Sequence, residues 1–306
     1  MLRFLGRRLG YAIITVGLVL TVVFWMSRVA GDPVRLLAGF DATDENLEQI
    51  RSDLGLDEPL VMQYGRFVGD ISEGDFGKSF RTGRPAMGEV MNRLPATLSL
   101  AAAALVFAVV VAVPLGILAA LKRGRWPDTV ARFIALVGQA VPNFWLGLLF
   151  IFFFAVRMGW FPTGGRNDGF RSLILPALTL STASVASLTR LTRSAMIDVL
   201  NQDYITLARL KGLKPHRVIV RHGLSNALIP ILTILGLQIG LLLAGSVVVE
   251  TIFAWPGIGR LVIQSLEVSD YPVVQAAVLV IALSVVLANL ATDVIYMLVD
   301  PRIRYD

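Results

Sequence analysis

The 306-residue chain contains no cysteine. Disulfides, thiolate nucleophiles and iron–sulfur ligation are thereby excluded. Charge is scarce too: Asp, Glu, Lys and Arg make up 16% of residues, against about 25% in soluble globular chains. The two histidines, His216 and His222, lie six apart and off a common helical face, and no carboxylate pattern completes a metal site. No GxxxxGK[ST] phosphate loop occurs, so the chain does not itself cradle and hydrolyse ATP in the usual way. "HGLSNA" brings Ser225 near His222 without a nucleophile elbow or an orienting acid. No catalytic constellation is present, and an enzyme is not expected.

What the chain has instead is apolar sequence, 55% of it, with a mean hydropathy of +0.69. A spanning helix needs about 20 apolar residues. Six segments meet or approach that requirement: 9–29, 98–121, 131–156, 173–188, 228–249 and 273–299. The expected fold class is an all-α polytopic membrane protein with six transmembrane helices. The first segment is too long for a signal-peptide core, and Arg28 occupies the −3 position of a cleavage after Ala30, so an uncleaved first span is expected.

Lys and Arg set the orientation. With the N-terminus inside, sixteen cations fall on inner segments; four fall on the short outer loops, and Arg28 lies at the outer edge of the first span. Both termini are therefore expected in the cytoplasm. The long outer segment 31–97 holds twelve acidic and seven basic residues, a net of −5, so the remainder carries +11 of a total of +6. The positive charge is a topology signal, and no nucleic-acid partner is expected.

Segment 31–97 is helical by pattern. Thr43-Asp44-Glu45 caps a first helix carrying Leu47, Ile50 and Leu54, with Gly55 as its stop. Pro59 opens a second with Leu60, Tyr64, Phe67, Val68 and Ile71 on one side, and Pro85 a third that leads into the second span with Val90, Met91 and Leu94. Such a region is either a docking surface or structural padding. Pro114, Pro142 and Pro230 fall inside spans and invite kinks. Gly236, Gly240 and Ala244 recur every four residues, a helix-packing pattern whose partner is either within the chain or in a second subunit. Asp293 inside the sixth span, and Glu250 at the outer end of the fifth, line a polar path or are satisfied interfacial groups.

Loop 189–227 is the largest cytoplasmic feature. Ile197, Leu200, Tyr204 and Leu207 share one helical face, Gly212 marks a stop, and Pro215 begins a second helix to about 226. Two short helices with an elbow are expected. They either lie among lipid headgroups or fit a groove on a cytoplasmic partner.

The ordered blocks "GDPVRLL", "DLGLDEPL", "GDFGKSFRTGRP", "RLPATLSL", "VPNFWLG", "GWFPTGG", "LPALTL", "VVVETIFAWPGIGRL", "DYPVVQ" and "DPRIRY" run nearly end to end. Through them the chain resembles the B-type permease of the bacterial dipeptide/oligopeptide ABC importers, a group that extends to glutathione and nickel transport. The resemblance implies a single permease domain over 1–306 with the type I importer fold, in the inner membrane. It also implies a homologous second permease, two cytoplasmic ATP-binding subunits carrying ATP and Mg, and an extracytoplasmic peptide-binding protein; no cofactor is expected on this chain. By the same resemblance "NQDYITLARLKGL" corresponds to the loop that docks on the ATPase, from Asp203 and Tyr204 through Thr206, Leu207, Ala208, Arg209, Lys211, Gly212 and Leu213. The family's acidic first position reads Thr206 here. Ala208 and Gly212 are expected to allow close approach, with Arg209 and Lys211 offering charge. Trp255 joins Glu250 and Asp293 as a pathway or gate candidate. The alternative is a stand-alone ion-driven transporter using Asp293, although six spans without an apparent repeat are few for one.

Overall fold

The computed structural model describes residues 2–29, 43–53 and 57–299. Among them the chain forms eleven helices: α1 Leu2–Val29, α2 Asp44–Asp53, α3 Leu60–Ser72, α4 Ala86–Leu121, α5 Trp126–Ala140, α6 Asn143–Arg157, α7 Phe170–Leu200, α8 Asp203–Leu210, α9 Pro215–Ile252, α10 Ile258–Glu267 and α11 Tyr271–Val299. Extended pairing among the described residues is one isolated bridge, Lys78 with Pro85.

Among the described residues, five helices are long and apolar enough to cross a membrane: α1, α4, α7, α9 and α11. The expected third span differs. It is the pair α5 and α6, bent by 105°, and becomes a sixth span only when the bent pair is taken as one. The break follows from Pro142. The ring forces its predecessor out of the helical region, and Val141 accordingly has φ −89° and ψ 126°. Pro142 thus separates two helices, whereas Pro176 and Pro230 are accommodated inside α7 and α9.

The fourth expected span, 173–188, is the middle of a 31-residue helix, α7. Its hydroxyls are compatible with burial because they bond to their own backbone. Thr179 Oγ1 donates to the Leu175 carbonyl at 2.8 Å, Thr182 to Leu178 at 3.0 Å and Ser187 to Ala183 at 3.0 Å.

The chain divides into two compact units, one of residues 1–96 with 256–284, the other of 97–255 with 285–306. In the first, Phe76, Val90, Ile258, Leu261 and Val273 make a core. Phe24 of α1 stacks edge-on against Tyr64 of α3 at 5.2 Å and lies 5.5 Å from Phe67. Asp270, 2% exposed, accepts hydrogen bonds from Ser79 Oγ at 2.5 Å and Phe80 N at 3.0 Å, fixing the segment that follows α3. In the second unit α7 is central and packs on α5, α6 and α9. Leu188 and Met196 of α7 meet Ala108 and Ala112 of α4 and Ala227 and Ile231 of α9.

Candidate functional site: an elbow between two long helices

The expected two-helix loop 189–227 is shorter than the pattern implied. α7 continues to Leu200, so Ile197 and Leu200 belong to it, and Gln202 (φ −78°, ψ 150°) breaks the helix before α8 begins. The expected second short helix is the start of α9, its stretch Val218–Leu224 wound as a π-helix. What projects is a single two-turn helix, α8, held between the ends of two long ones.

α8 has its own small core. Ile205 is fully buried, Ala208 is 7% exposed, and both pack with Val218, Leu200 and Leu213. Its opposite side is apolar and uncovered: Tyr204 is 42% exposed, Leu207 52% and Leu210 81%. Asp203, Thr206, Arg209, Lys211 and Gly212 are exposed around that rim. Asp203 stands in the first turn and Arg209 in the last, each complementing the helix dipole.

The C-terminus closes as a Schellman motif. The Gly212 N–H donates to the Arg209 carbonyl at 3.0 Å and the Leu213 N–H to the Ala208 carbonyl at 3.3 Å. Gly212 has φ +73°. A Cβ there would meet no atom within 4 Å. Backbone handedness by itself favours glycine at 212, while Ala208 faces the elbow's own core.

The helices leading to the elbow are pinned by an ion pair the sequence reading missed. Arg193 of α7 donates bidentately to Asp128 of α5, Nε to Oδ1 at 2.5 Å and Nη2 to Oδ2 at 2.9 Å. The Gly124 N–H adds a 3.0 Å bond to the same carboxylate, which is 1% exposed. A signal exists in "KRGRWPD", a basic turn followed by an acid in the first turn of a helix. Nearby, α4 and α7 touch closely enough that a Cβ on Gly116 would lie 2.6 Å from Thr192 Cβ.

The membrane-embedded candidates separate. Glu250 and Trp255 come together at the end of α9. Glu250 is fully buried and accepts from Thr97 Oγ1 at 2.8 Å; its carbonyl accepts from the Trp255 N–H at 2.8 Å. Arg166 lies 5.6 Å from the Trp255 ring centre. Ala254 between them has φ +48°, and the Gly165 N–H bonds to the Phe253 carbonyl at 2.8 Å. Asp293 falls on α11, but its side chain lies outside the described residues. The small-residue stripe packs within the chain: a Cβ on Gly236 would overlap Thr292, and one on Gly240 would lie 3.3 Å from Val285 Cγ1. Ala244, the third member, is exposed. No cluster of three or more metal-ligating side chains occurs among the described residues.

Comparison with known proteins accords with this architecture. Residues 112–305 match the family described as binding-protein-dependent transport system inner membrane component, and residues 1–101 match its N-terminal companion. The glutathione transport system permease protein GsiC of Escherichia coli strain K12 is 44% identical over 306 residues, all of both chains. The same figures hold for the GsiC protein of Shigella dysenteriae serotype 1 strain Sd197. Among solved structures, an inward-facing form of the MetNI methionine ABC transporter superposes with a TM-score of 0.56 at 18% identity, over 70% of this chain and 97% of that one. The fold is thus that of a type I ABC importer membrane subunit, and the chain belongs to the binding-protein-dependent transport system inner membrane components, as a multi-pass permease subunit of an ABC importer.

Proposed function

We propose that the chain forms half of the translocation pathway of an ATP-driven importer of short peptides, glutathione among them, and is the lever rather than the motor. A homologous permease supplies the other half, two ATP-binding subunits with ATP and Mg dock from the cytoplasm, and an extracytoplasmic binding protein delivers substrate. Both termini and the α8 elbow face the cytoplasm in this reading, as the sixteen inner cations favour.

The observation that carries it is the shape of α8. A two-turn helix with its own core presents Tyr204, Leu207 and Leu210 outward, flanked by Arg209 and Lys211. Burying one such leucine in a groove stabilises the contact by about 1.5–3 kcal/mol, so the pair supplies a strong apolar anchor with basic charge at its edge. Closure of the ATPases would press on α8. α7 and α9 leave the elbow in opposite directions along the chain, so that push reaches the spans directly. No acidic anchor is needed at Thr206; shape and cations provide the grip.

The test is assembly. Leu210→Glu places a charge at the most exposed position without touching the elbow core, so the chain folds while ATPase co-purification and ATP-dependent peptide uptake fall together. Uptake that persists in this variant with the ATPases absent, and that follows the proton gradient, would refute the importer reading.

A further inference from the structure

α7 and α9 are joined to α8 by short links of chain, so a push on the elbow reaches them directly. α5 has no such link and packs on α7. Its far end is where Pro142 turns the chain by 105° into α6. What ties α5 to α7 therefore decides whether movement of the elbow arrives at that bend.

The two helices touch at two levels. Toward the bend the contact is between small groups: a Cβ on Gly138 would lie 3.1 Å from both the Ala186 Cβ and the Thr182 carbonyl oxygen. Such a contact holds helices close, but it is non-directional and lets them slide. At the elbow end the contact is of the other kind. Arg193 and Asp128 meet through two N–H···O bonds of 2.5 and 2.9 Å, and a planar fork on a carboxylate fixes orientation as well as distance. Arg132 also approaches Asp128, at 3.5 Å, but it stands on α5 itself and ties nothing between helices.

The pair is connected to the elbow by packed side chains on α7. One turn beyond Arg193, Met196 is fully buried, and a Cβ on Gly223 of α9 would lie 3.3 Å from its Cε. One turn further, Leu200 packs with Ile205 and Ala208 of α8. Spacings of three and four place Arg193, Met196 and Leu200 along one side of the helix. On the other side of the pair, the Gly124 N–H bond to Asp128 holds the turn that follows α4. Asp128 is 1% exposed. Separating the partners would leave its carboxylate buried without a counter-charge, which is strongly unfavourable, so the pair favours staying closed while the helices around it move.

We infer that the Asp128–Arg193 pair is a clamp that makes α5 travel with α7. Both are positioning residues for coupling: they carry elbow movement toward the α5–α6 bend without touching ATPase or substrate. This rests on the importer reading and deepens it by naming the link between lever and pathway.

The test compares Asp128→Ala, Arg193→Met and the double variant. Each is assembled with the second permease, the ATPases and the binding protein in proteoliposomes, where ATP hydrolysis and uptake of labelled glutathione are read together. In each single variant hydrolysis per assembled complex continues, and uptake per ATP falls about two- to thirtyfold, the span produced by one link in a packed network. The double variant regains part of its thermal stability but none of its uptake per ATP, a split that a purely stabilising ion pair does not produce. A covalent replacement gives the converse. The chain has no cysteine, so Asp128→Cys with Arg193→Cys supplies its only two thiols, which a two-carbon bis-methanethiosulfonate bridges, as the mass of this chain confirms. Bridging restores uptake per ATP, and reduction abolishes it again. The inference is overturned by uptake per ATP that stays at the wild-type value in the single variants, recovers with stability in the double variant, or is left unchanged by the bridge. A bridge that stops transport also overturns it, because the pair would then be a switch that has to open. Wild-type complexes that take up the label without hydrolysing ATP overturn the importer reading itself, and the inference with it.

Discussion

Substituting Gly212 separates two reasons for a glycine at the elbow. At φ +73° an L-residue is disfavoured by roughly 1–2 kcal/mol. Nothing lies within 4 Å of a Cβ at that position, so alanine adds no clash inside the chain and the backbone term stands alone. It acts on the closure formed by the Gly212 and Leu213 N–H bonds to Arg209 and Ala208, worth about 1 kcal/mol net each. The elbow still closes in Gly212→Ala, but the ratio of closed to open forms falls about five- to thirtyfold. Asparagine is larger yet tolerates the left-handed region; valine, β-branched, does not. Handedness therefore predicts coupling in the order Gly, Asn, Ala, Val. Close approach of an ATPase to Gly212 predicts the order of volume: Gly, Ala, Asn, Val. The assay is ATP-dependent uptake at saturating substrate, normalised to co-purified ATPase. Alanine outperforming asparagine would sink the handedness account.

Two further perturbations probe the scaffold that positions the elbow. Removing one partner of a buried ion pair costs about 3–5 kcal/mol. Asp128→Ala is expected near the lower figure, because Arg193 keeps 23% side-chain exposure, and adding Arg193→Met recovers part of the loss. Thermal unfolding in detergent reads both, and a double variant no better than the single one contradicts the pairing. In α9, Gly236→Ala forces its Cβ into Thr292, an overpacking cost of about 1–3 kcal/mol that Thr292→Ala relieves. Gly240→Ala, 3.3 Å from Val285 Cγ1, is expected to be milder, and a reversed ranking would place the stripe at another interface.

Which features the sequence disclosed depends on the range of the interaction behind them. Local signals read well. Thr43 accepts the Asn46 N–H at 3.4 Å ahead of α2, and Pro59 precedes α3 at Leu60. Hydropathy located the long helices because it averages over many residues. It averages over the effect of a single residue: Pro142 splits 131–156 into two helices at 105°, where the sequence offered a kink on the same footing as those at Pro114 and Pro230. Periodicity misled at Gln202 for the related reason that a two-residue break leaves the i, i+3, i+4 pattern of Leu200, Tyr204 and Leu207 almost intact.

The two arginines of α7 illustrate a subtler limit. Apolar content ends the fourth span at 188, whereas the helix runs to Leu200, because helical backbone pairing continues past the apolar stretch. Arg190 and Arg193, three residues apart, give the same sequence signal. Arg193 is matched by Asp128 of α5, whereas Arg190 bonds to the neutral Gln139. The discriminating fact is therefore tertiary: which of two arginines on one helix has its charge already matched.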